Sequence, residues 1–361
     1  MNFYNLKNQD SKFRKKIIKN LNILLRKGQF IMGKEVLLLE KKLSNFVGSK
    51  YCISTSSGTD ALLLALMAIN IKAGDEVITS PFTFVSTVEV IKLLGAKPVF
   101  VDINPKTFNI DENLIKKKIT KKTKAIIPVS LFGQAPNFSK INSLVKKSKI
   151  VVIEDAAQSF GSKQNNKFSC NLSTIGCTSF FPTKPLGCYG DGGACFTNNK
   201  LIAKKLIQLR THGQKKKYVY SRIGVNARLD TIQASILLEK LKFFRSEIKL
   251  RNIVAKNYNK LINLINKKID LPFIEKGNNS VYAQYSLLLE NRDKTIRNLK
   301  KKKIPFAIYY PHPIYFYKPY KKYKTHCPVS EETCKKILNL PMNPYLSKKD
   351  QKYIIDNIID Y

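Results

Sequence analysis

One lysine in this chain has unusual neighbours. Lys184 lies between Pro182 and Pro185, after the strand-like run CTSFF (177–181) and ahead of the glycine-rich run GCYGDGG. The prolines restrict the backbone, and the glycines permit a tight turn and close packing. A lysine held in a cleft suits Schiff-base chemistry, because desolvation lowers its pKa toward that of a free amine. The alternative, a solvated loop lysine, stays open from this stretch alone.

An acidic residue ends another apolar run. Asp155 is the last residue of KIVVIED (149–155), and Gln158 follows three positions later. Ligands of parallel sheets bind at the carboxyl ends of the strands, where this carboxylate could pair with a buried cationic nitrogen. A helix-capping aspartate explains the same position equally well. Gln158 would lie beside the same ligand if a helical turn begins here.

A hydroxyl-rich turn precedes an apolar helix. Ser56–Asp60 (SSGTD) follows the strand-like run YCIS and leads into ALLLALMAI. Hydroxyls, a glycine and free N–H groups at a helix N-terminus can hold an anion, helped by the helix dipole. An ordinary N-cap is the alternative. The run lacks the G-K-[ST] ending of a P-loop.

Together these three features fit one cofactor. A phosphate cradle, an acid for a pyridinium nitrogen and a lysine for an aldehyde are what pyridoxal 5′-phosphate (PLP) requires. Each feature alone has an ordinary structural explanation, whereas their joint occurrence in this order is far more specific.

The elements that position these residues alternate between strands and helices. Short β-rich runs are separated by helix-like segments, as in TDALLLALMAIN and NFSKINSLVKKS. This alternation predicts an α/β fold with a mostly parallel sheet that is covered by helices on both faces. The predicted strands are YCIS (51–54), EVITS (76–80), KPVFVDI (97–103), KAIIPVS (124–130) and KIVVIED (149–155).

The pattern changes after Asp230. Residues 231–265 are typical of a long helical stretch, and a strand-like run (280–290) and a helix (292–303) follow. We therefore expect a large ligand-binding domain over residues 1–240, with a helical segment at its N-terminus. Residues 241–361 are expected to form a smaller α+β domain.

The composition allows a second class of function. A formal net charge of +39 is typical of proteins that bind nucleic acid or an anionic polysaccharide. However, the lysines are spread along the whole chain, and arginine supplies only nine of the 64 basic residues. We therefore interpret the charge as a compositional bias that favours the approach of anionic substrates, and we expect no nucleic-acid partner.

The remaining composition indicates the compartment. No apolar run approaches the ~20 residues of a membrane span, and the N-terminus lacks the apolar core of a signal peptide. The seven cysteines and three histidines show no metal-ligand spacing. We expect a cytoplasmic protein with free thiols, no bound metal and no membrane partner.

The motifs resemble those of the DegT/StrS-type sugar-nucleotide aminotransferases, and the resemblance covers nearly the whole chain. It implies a fold-type-I PLP aminotransferase with L-glutamate as amino donor and 2-oxoglutarate as product. Within the family the chain is most similar to aminotransferases of UDP-2-acetamido-2-deoxy-3-oxo-glucuronate, which serve O-antigen and other surface polysaccharides. Another keto sugar, such as a dTDP-3-oxo-6-deoxyhexose, is the alternative substrate. The motifs that carry the resemblance are SSGTDAL, GDEVITSPFTFVST, AIIPVSLFGQ, VIEDAAQSFGS, TSFFPTKPLGCYGDGGACFTN and GVNARLDTIQA.

The resemblance implies a role for each cofactor-binding residue. Lys184 would hold the cofactor covalently and then shuttle the proton, and Asp155 would keep the pyridine nitrogen protonated. Gln158 would contact the side of the phenolic oxygen, and Phe84 would stack on the ring. The phosphate would be bound by Gly58, Thr59 and Ser179.

Other residues would complete the site. Asn226 would reach the phosphate from a neighbouring subunit, so a homodimer would be required. Arg228 would bind the carboxylate of the uronate as a bidentate partner. Tyr309 and Tyr310 would contact the sugar, and Tyr309 stands where uronate-type relatives tend to have histidine.

Overall fold

The computed structural model describes residues 1–11, 13–265 and 269–358, with backbone alone at 8–10. These residues form fourteen strands, namely β1 Tyr51–Thr55, β2 Glu76–Thr79, β3 Lys97–Phe100, β4 Thr123–Ile126, β5 Val151–Asp155, β6 Lys163–Gln164, β7 Lys167–Phe168, β8 Ile175–Ser179, β9 Gly193–Thr197, β10 Gln214–Lys216, β11 Val219–Tyr220, β12 Asn278–Asn279, β13 Tyr285–Leu288 and β14 Ile337–Leu340. They also form thirteen helices, namely α1 Leu6–Ser11, α2 Arg14–Lys27, α3 Lys34–Val47, α4 Gly58–Ala68, α5 Ser86–Leu93, α6 Glu112–Ile115, α7 Phe138–Val145, α8 Lys200–Leu209, α9 Thr231–Leu241, α10 Phe244–Leu264, α11 Arg292–Lys301, α12 Pro328–Lys336 and α13 Lys348–Ile358.

A seven-stranded sheet with the order β1-β9-β8-β5-β4-β2-β3 forms the centre of the molecule. The neighbours from β8 to β3 pair in parallel, whereas β9 is antiparallel to both β1 and β8. The α/β fold with a mostly parallel sheet is therefore confirmed. All five predicted strands are present within a few residues of their expected bounds.

Helices cover both faces of this sheet because its strands are apolar on both sides. Consecutive strand residues point to opposite faces. Accordingly, Ile153 packs in one cluster with residues of α4 and α8, while its neighbour Val152 packs in another with residues of α7. A third cluster joins α3 and α9 to Phe196 of β9. A sheet buried on both faces exposes its strand ends, and the site lies there.

The C-terminal part has its own apolar cluster, formed by α10, α13 and the antiparallel pair β13 and β14. The helical stretch expected over 231–265 is two helices, α9 and α10, which a short turn separates. The strand expected over 280–290 is shorter, since only β13 forms within it. The division of the chain at residue 240 falls near the turn between α9 and α10 and stays a prediction.

The helices of the described residues include none that is long and apolar enough to cross a bilayer. The same residues contain no group of His, Cys, Asp and Glu that could hold a metal ion. All seven cysteines are free and buried.

Candidate active site

A cavity of about 610 Å³ opens at the carboxyl ends of β5 and β8. It is bounded by the start of α4, the loop after β8, and segments from both ends of the chain. Nine of the eleven site residues expected from the sequence line it: Gly58, Thr59, Phe84, Asp155, Gln158, Ser179, Lys184, Tyr309 and Tyr310. Asn226 and Arg228 do not.

The SSGTD turn caps helix α4 and borders the cavity. The Ser57 hydroxyl accepts a hydrogen bond from Asp60 N at 3.0 Å, so the ordinary N-cap is present. The same turn places Gly58 against Ser179, where an added Cβ would lie 2.7 Å from Ser179 Cβ. Only glycine permits this close approach. Gly58 and Thr59, at the positive end of α4, therefore lie on the cavity wall beside the Ser179 hydroxyl.

Two donors hold the carboxylate of Asp155 at the end of β5. Thr87 Oγ1 donates to Oδ2 at 2.8 Å, and Ala157 N donates to Oδ1 at 3.2 Å. Burial raises the pKa of Asp155, while the Thr87 hydrogen bond and the Lys184 charge oppose that rise. A buried carboxylate held in this way favours a cationic partner inside the cavity.

Lys184 lies on a tight loop that follows β8. Its backbone N–H donates to Phe181 O at 2.9 Å, and Cys188 N donates to Phe180 O at 2.7 Å. The side chain is half-buried and lines the cavity. Burial lowers the pKa of Lys184, and the nearby charge of Asp155 counteracts part of this effect. The geometry therefore favours the desolvated cleft lysine over the solvated loop lysine.

A hydrogen-bonded pair fixes the wall opposite the cradle. Gln158 Oε1 accepts from Phe132 N at 2.8 Å, and Gln158 Nε2 donates to Tyr310 Oη at 3.0 Å. Burial is the largest effect on the pKa of Tyr310 and raises it, so this phenol stays protonated at neutral pH. The Phe84 ring is 54% exposed, with its centroid 6.4 Å from that of Tyr310. An accessible aromatic face thus borders the cavity.

Among the residues of this region that were not expected from the sequence are Thr87, Tyr4 and Gln284. Thr87 is a buried residue of α5 at the end of the motif GDEVITSPFTFVST, but the motif does not show that its hydroxyl reaches Asp155. Tyr4 and Gln284 line the cavity although 280 positions separate them. Their pairing depends on the chain path, which the sequence pattern does not reveal.

Asn226 and Arg228 lie on the segment that leads into α9. The intervening Ala227 accepts a hydrogen bond from Ser56 N at 3.1 Å, so the segment runs beside the SSGTD turn. Asn226 is exposed, and Arg228 is partly exposed with a buried Nε that lacks a hydrogen-bond partner. A single chain does not bring these two side chains into its own cavity.

Comparisons with known proteins agree with this geometry. The model of the DegT/DnrJ/EryC1/StrS aminotransferase family matches residues 11–359. A Pseudomonas aeruginosa protein named UDP-2-acetamido-2-deoxy-3-oxo-D-glucuronate aminotransferase is 50% identical over 352 residues, which cover 98% of each chain.

Two solved structures extend the comparison. A DegT DnrJ EryC1 StrS aminotransferase from Brucella abortus superposes with a TM-score of 0.94 at 40% identity, covering 99% of this chain and 98% of that one. The structure of ntda from Bacillus subtilis with bound cofactor PMP has a TM-score of 0.89 at 31% identity, covering 96% and 82%. These matches span both the sheet and the C-terminal part.

Proposed function

This chain belongs to the DegT/DnrJ/EryC1/StrS aminotransferase family, and we propose that it aminates the 3-keto group of UDP-2-acetamido-2-deoxy-3-oxo-glucuronate. L-Glutamate is the proposed amino donor, and 2-oxoglutarate and the 3-amino sugar nucleotide are the products. One observation carries the chemistry: Lys184 and Asp155 line one cavity beside the N-terminus of α4. The identity of 50% to the Pseudomonas aeruginosa enzyme supports the choice of sugar.

The enzyme is a PLP-dependent aminotransferase, and its residues fit the cofactor. Gly58, which lacks a Cβ that would meet Ser179, opens space for a phosphate at the helix N-terminus. The carboxylate of Asp155 suits a protonated ring nitrogen, and Lys184 suits an aldehyde. When bound, PLP supplies a carbonyl that accepts the amino group and an electron-poor ring that stabilises negative charge on carbon.

The residues of the chain supply the proton transfers. Because burial lowers the pKa of Lys184, Nζ can act as the base that takes the proton from the α-carbon of glutamate. The same atom delivers a proton to C3 of the sugar in the second half of the reaction. Asp155, which accepts a hydrogen bond from Thr87, would pair as a carboxylate with the protonated ring nitrogen.

Selection of the sugar is proposed to need a second copy of the chain. Asn226 and Arg228 lie outside the cavity of their own chain, beside the SSGTD turn. In a homodimer they would reach the partner's site, Asn226 at the phosphate and Arg228 at the uronate carboxylate. Tyr309 and Tyr310 would contact the sugar from within the chain.

The cellular role follows from this substrate. The 3-amino uronate would enter O-antigen or another surface polysaccharide, and the reaction would take place in the cytoplasm. The seven free cysteines are typical of that reducing compartment. The net charge of +39 would favour approach of the anionic sugar nucleotide.

The test is a panel of keto sugar nucleotides supplied with L-glutamate, with release of 2-oxoglutarate as the measurement. We expect the UDP-3-oxo-uronate to turn over and a dTDP-3-oxo-6-deoxyhexose to turn over poorly. Arg228→Ala should reduce turnover of the uronate much more than that of a substrate without a carboxylate. Unchanged uronate turnover in this variant would contradict the role of Arg228. Borohydride reduction of the coloured enzyme, followed by peptide mapping, should place the label on Lys184.

A further inference from the structure

One wall of the cavity carries no charge. It is formed by Tyr4, Gln284, Tyr309 and Tyr310, which face the cavity from the N-terminal segment and the C-terminal part. The charged residues that line the cavity, Asp155, Lys184 and Asp191, come from other segments of the chain. A wall of phenols and one carboxamide suits a neutral group that both donates and accepts hydrogen bonds, rather than a carboxylate.

Contacts between these side chains leave one acceptor without a partner. The Tyr4 and Tyr309 hydroxyls are 3.3 Å apart, and the Gln284 side chain interacts with the Tyr4 hydroxyl. Gln284 is 8% exposed, and its Oε1 is buried without a hydrogen-bond partner. Such an acceptor costs free energy unless a ligand or water satisfies it.

The wall is held firmly enough to discriminate between ligands. The Phe3 ring packs edge-on against Tyr4 with centroids 4.8 Å apart and against Tyr309 at 6.4 Å. Tyr309 N donates to Asn339 Oδ1 at 2.9 Å. The N-terminal segment is thus fixed to the C-terminal part across the cavity.

We propose that Gln284, supported by Tyr4, recognises the 2-acetamido group of the sugar nucleotide. A turn of the Gln284 side chain into the cavity would let its Oε1 accept from the amide N–H of the ligand, whose carbonyl would accept from the Tyr309 hydroxyl. The acetamido group is attached to the carbon next to the reacting C3, so it must enter the same cavity as Lys184. This inference rests on the proposed function and makes Gln284 a specificity residue of that reaction.

A water molecule in a neighbouring void is the competing explanation for the unpaired Oε1 of Gln284. The same side chain borders a void of about 20 Å³ that Phe108 and Phe132 also line. That volume can hold one water molecule, which would satisfy Oε1 without any ligand. In that case Gln284 would have only a structural role.

The test compares two unreactive ligands that differ only at C2. UDP-N-acetylglucosaminuronate carries the acetamido group at C2, and UDP-glucuronate carries a hydroxyl there. The ratio of their dissociation constants from the holoenzyme therefore measures the contribution of the acetamido group to binding. Loss of a buried hydrogen bond predicts that Gln284→Met weakens binding of the acetamido ligand about tenfold. Binding of UDP-glucuronate should change by less than about twofold. Tyr4→Phe, which removes one hydroxyl from a half-buried residue, should weaken the same preference to a smaller extent.

Gln208→Met is the matched control. Gln208 is 7% exposed, also has a buried Oε1 without a partner, and lies in α8 away from the cavity. This variant should leave both dissociation constants unchanged. Equal weakening of both ligands by Gln284→Met, or no weakening of either, would overturn the inference. If the wild type binds neither uronate, the proposed substrate fails and the inference fails with it; binding without preference overturns the inference alone.

Discussion

The hydrogen bond from Thr87 to Asp155 should set the position of the acidic limb in the pH–rate profile. Thr87→Val keeps the shape of the side chain but removes the hydroxyl that lies 2.8 Å from Asp155 Oδ2. A hydrogen bond to a charged acceptor contributes about 2 kcal/mol. Loss of this bond should therefore raise the pKa of Asp155 further. The direction follows because the hydroxyl favours the ionised carboxylate, whose pKa burial already raises.

Two assays measure this effect. In the half-reaction with glutamate alone, the rate is followed by absorbance as a function of pH, and the acidic limb should move to higher pH in Thr87→Val. Cofactor affinity at neutral pH, measured by titration of the apoenzyme, should fall because a smaller fraction of Asp155 is ionised, and the fall is at most about thirtyfold, the limit for about 2 kcal/mol.

Thr79→Val provides the control for simple destabilisation. Thr79 is equally buried, and its hydroxyl donates to Ile127 O at 2.8 Å, which is a neutral acceptor. Thr79→Val should lose about 1 kcal/mol of unfolding free energy and Thr87→Val about 2 kcal/mol. Only Thr87→Val should shift the acidic limb. If both variants shift it equally, or neither does, the reasoning about Asp155 is refuted.

Three further predictions concern the cradle, a buried acid and the dimer. Gly58→Ala places a Cβ 2.7 Å from Ser179 Cβ, so Ser179 must shift: cofactor affinity should fall at least about tenfold, and the melting temperature of the apoenzyme should fall as well. Burial raises the pKa of Glu154 from 4.5 to about 7. Protonated Glu154 therefore stabilises the folded state by up to about 3 kcal/mol below pH 4.5, and this stabilisation is lost as the pH rises through 7. Glu154→Gln should therefore flatten the fall in melting temperature between about pH 5 and 8. Lys184→Ala and Asn226→Ala should each be inactive. In an equal mixture about half of the dimers are hybrids with one complete site each, so about a quarter of all sites should be active.

Each of these predictions has an outcome that contradicts it. Wild-type cofactor affinity in Gly58→Ala would show that the cradle does not hold the phosphate. A pH dependence of Glu154→Gln that matches the wild type would assign the effect to another acid. If mixed subunits stay inactive after exchange is verified, Asn226 does not complete the site of a partner.

The central sheet could be predicted from the sequence because its signals are local. Apolar residues in short runs specify the strands, and the helical segments between them require parallel crossovers. The positions of SSGTD, Asp155 and Lys184 could be predicted for the same reason, since each ends or follows a strand-like run. The antiparallel strand β9 was not predicted, because ACFT lies in a glycine-rich passage whose pairing depends on the path of the chain.

The site needed more than these local signals. The sequence by itself identified the residues that we propose bind and react: Lys184, Asp155 and the helix start at Gly58. Only the tertiary structure showed that Thr87 holds the carboxylate, and that Tyr4 and Gln284 meet on one wall. It also placed Asn226 outside the cavity of its own chain. The physical reason is that a turn or a strand depends on neighbouring residues, whereas a hydrogen bond between distant side chains depends on how the whole chain packs.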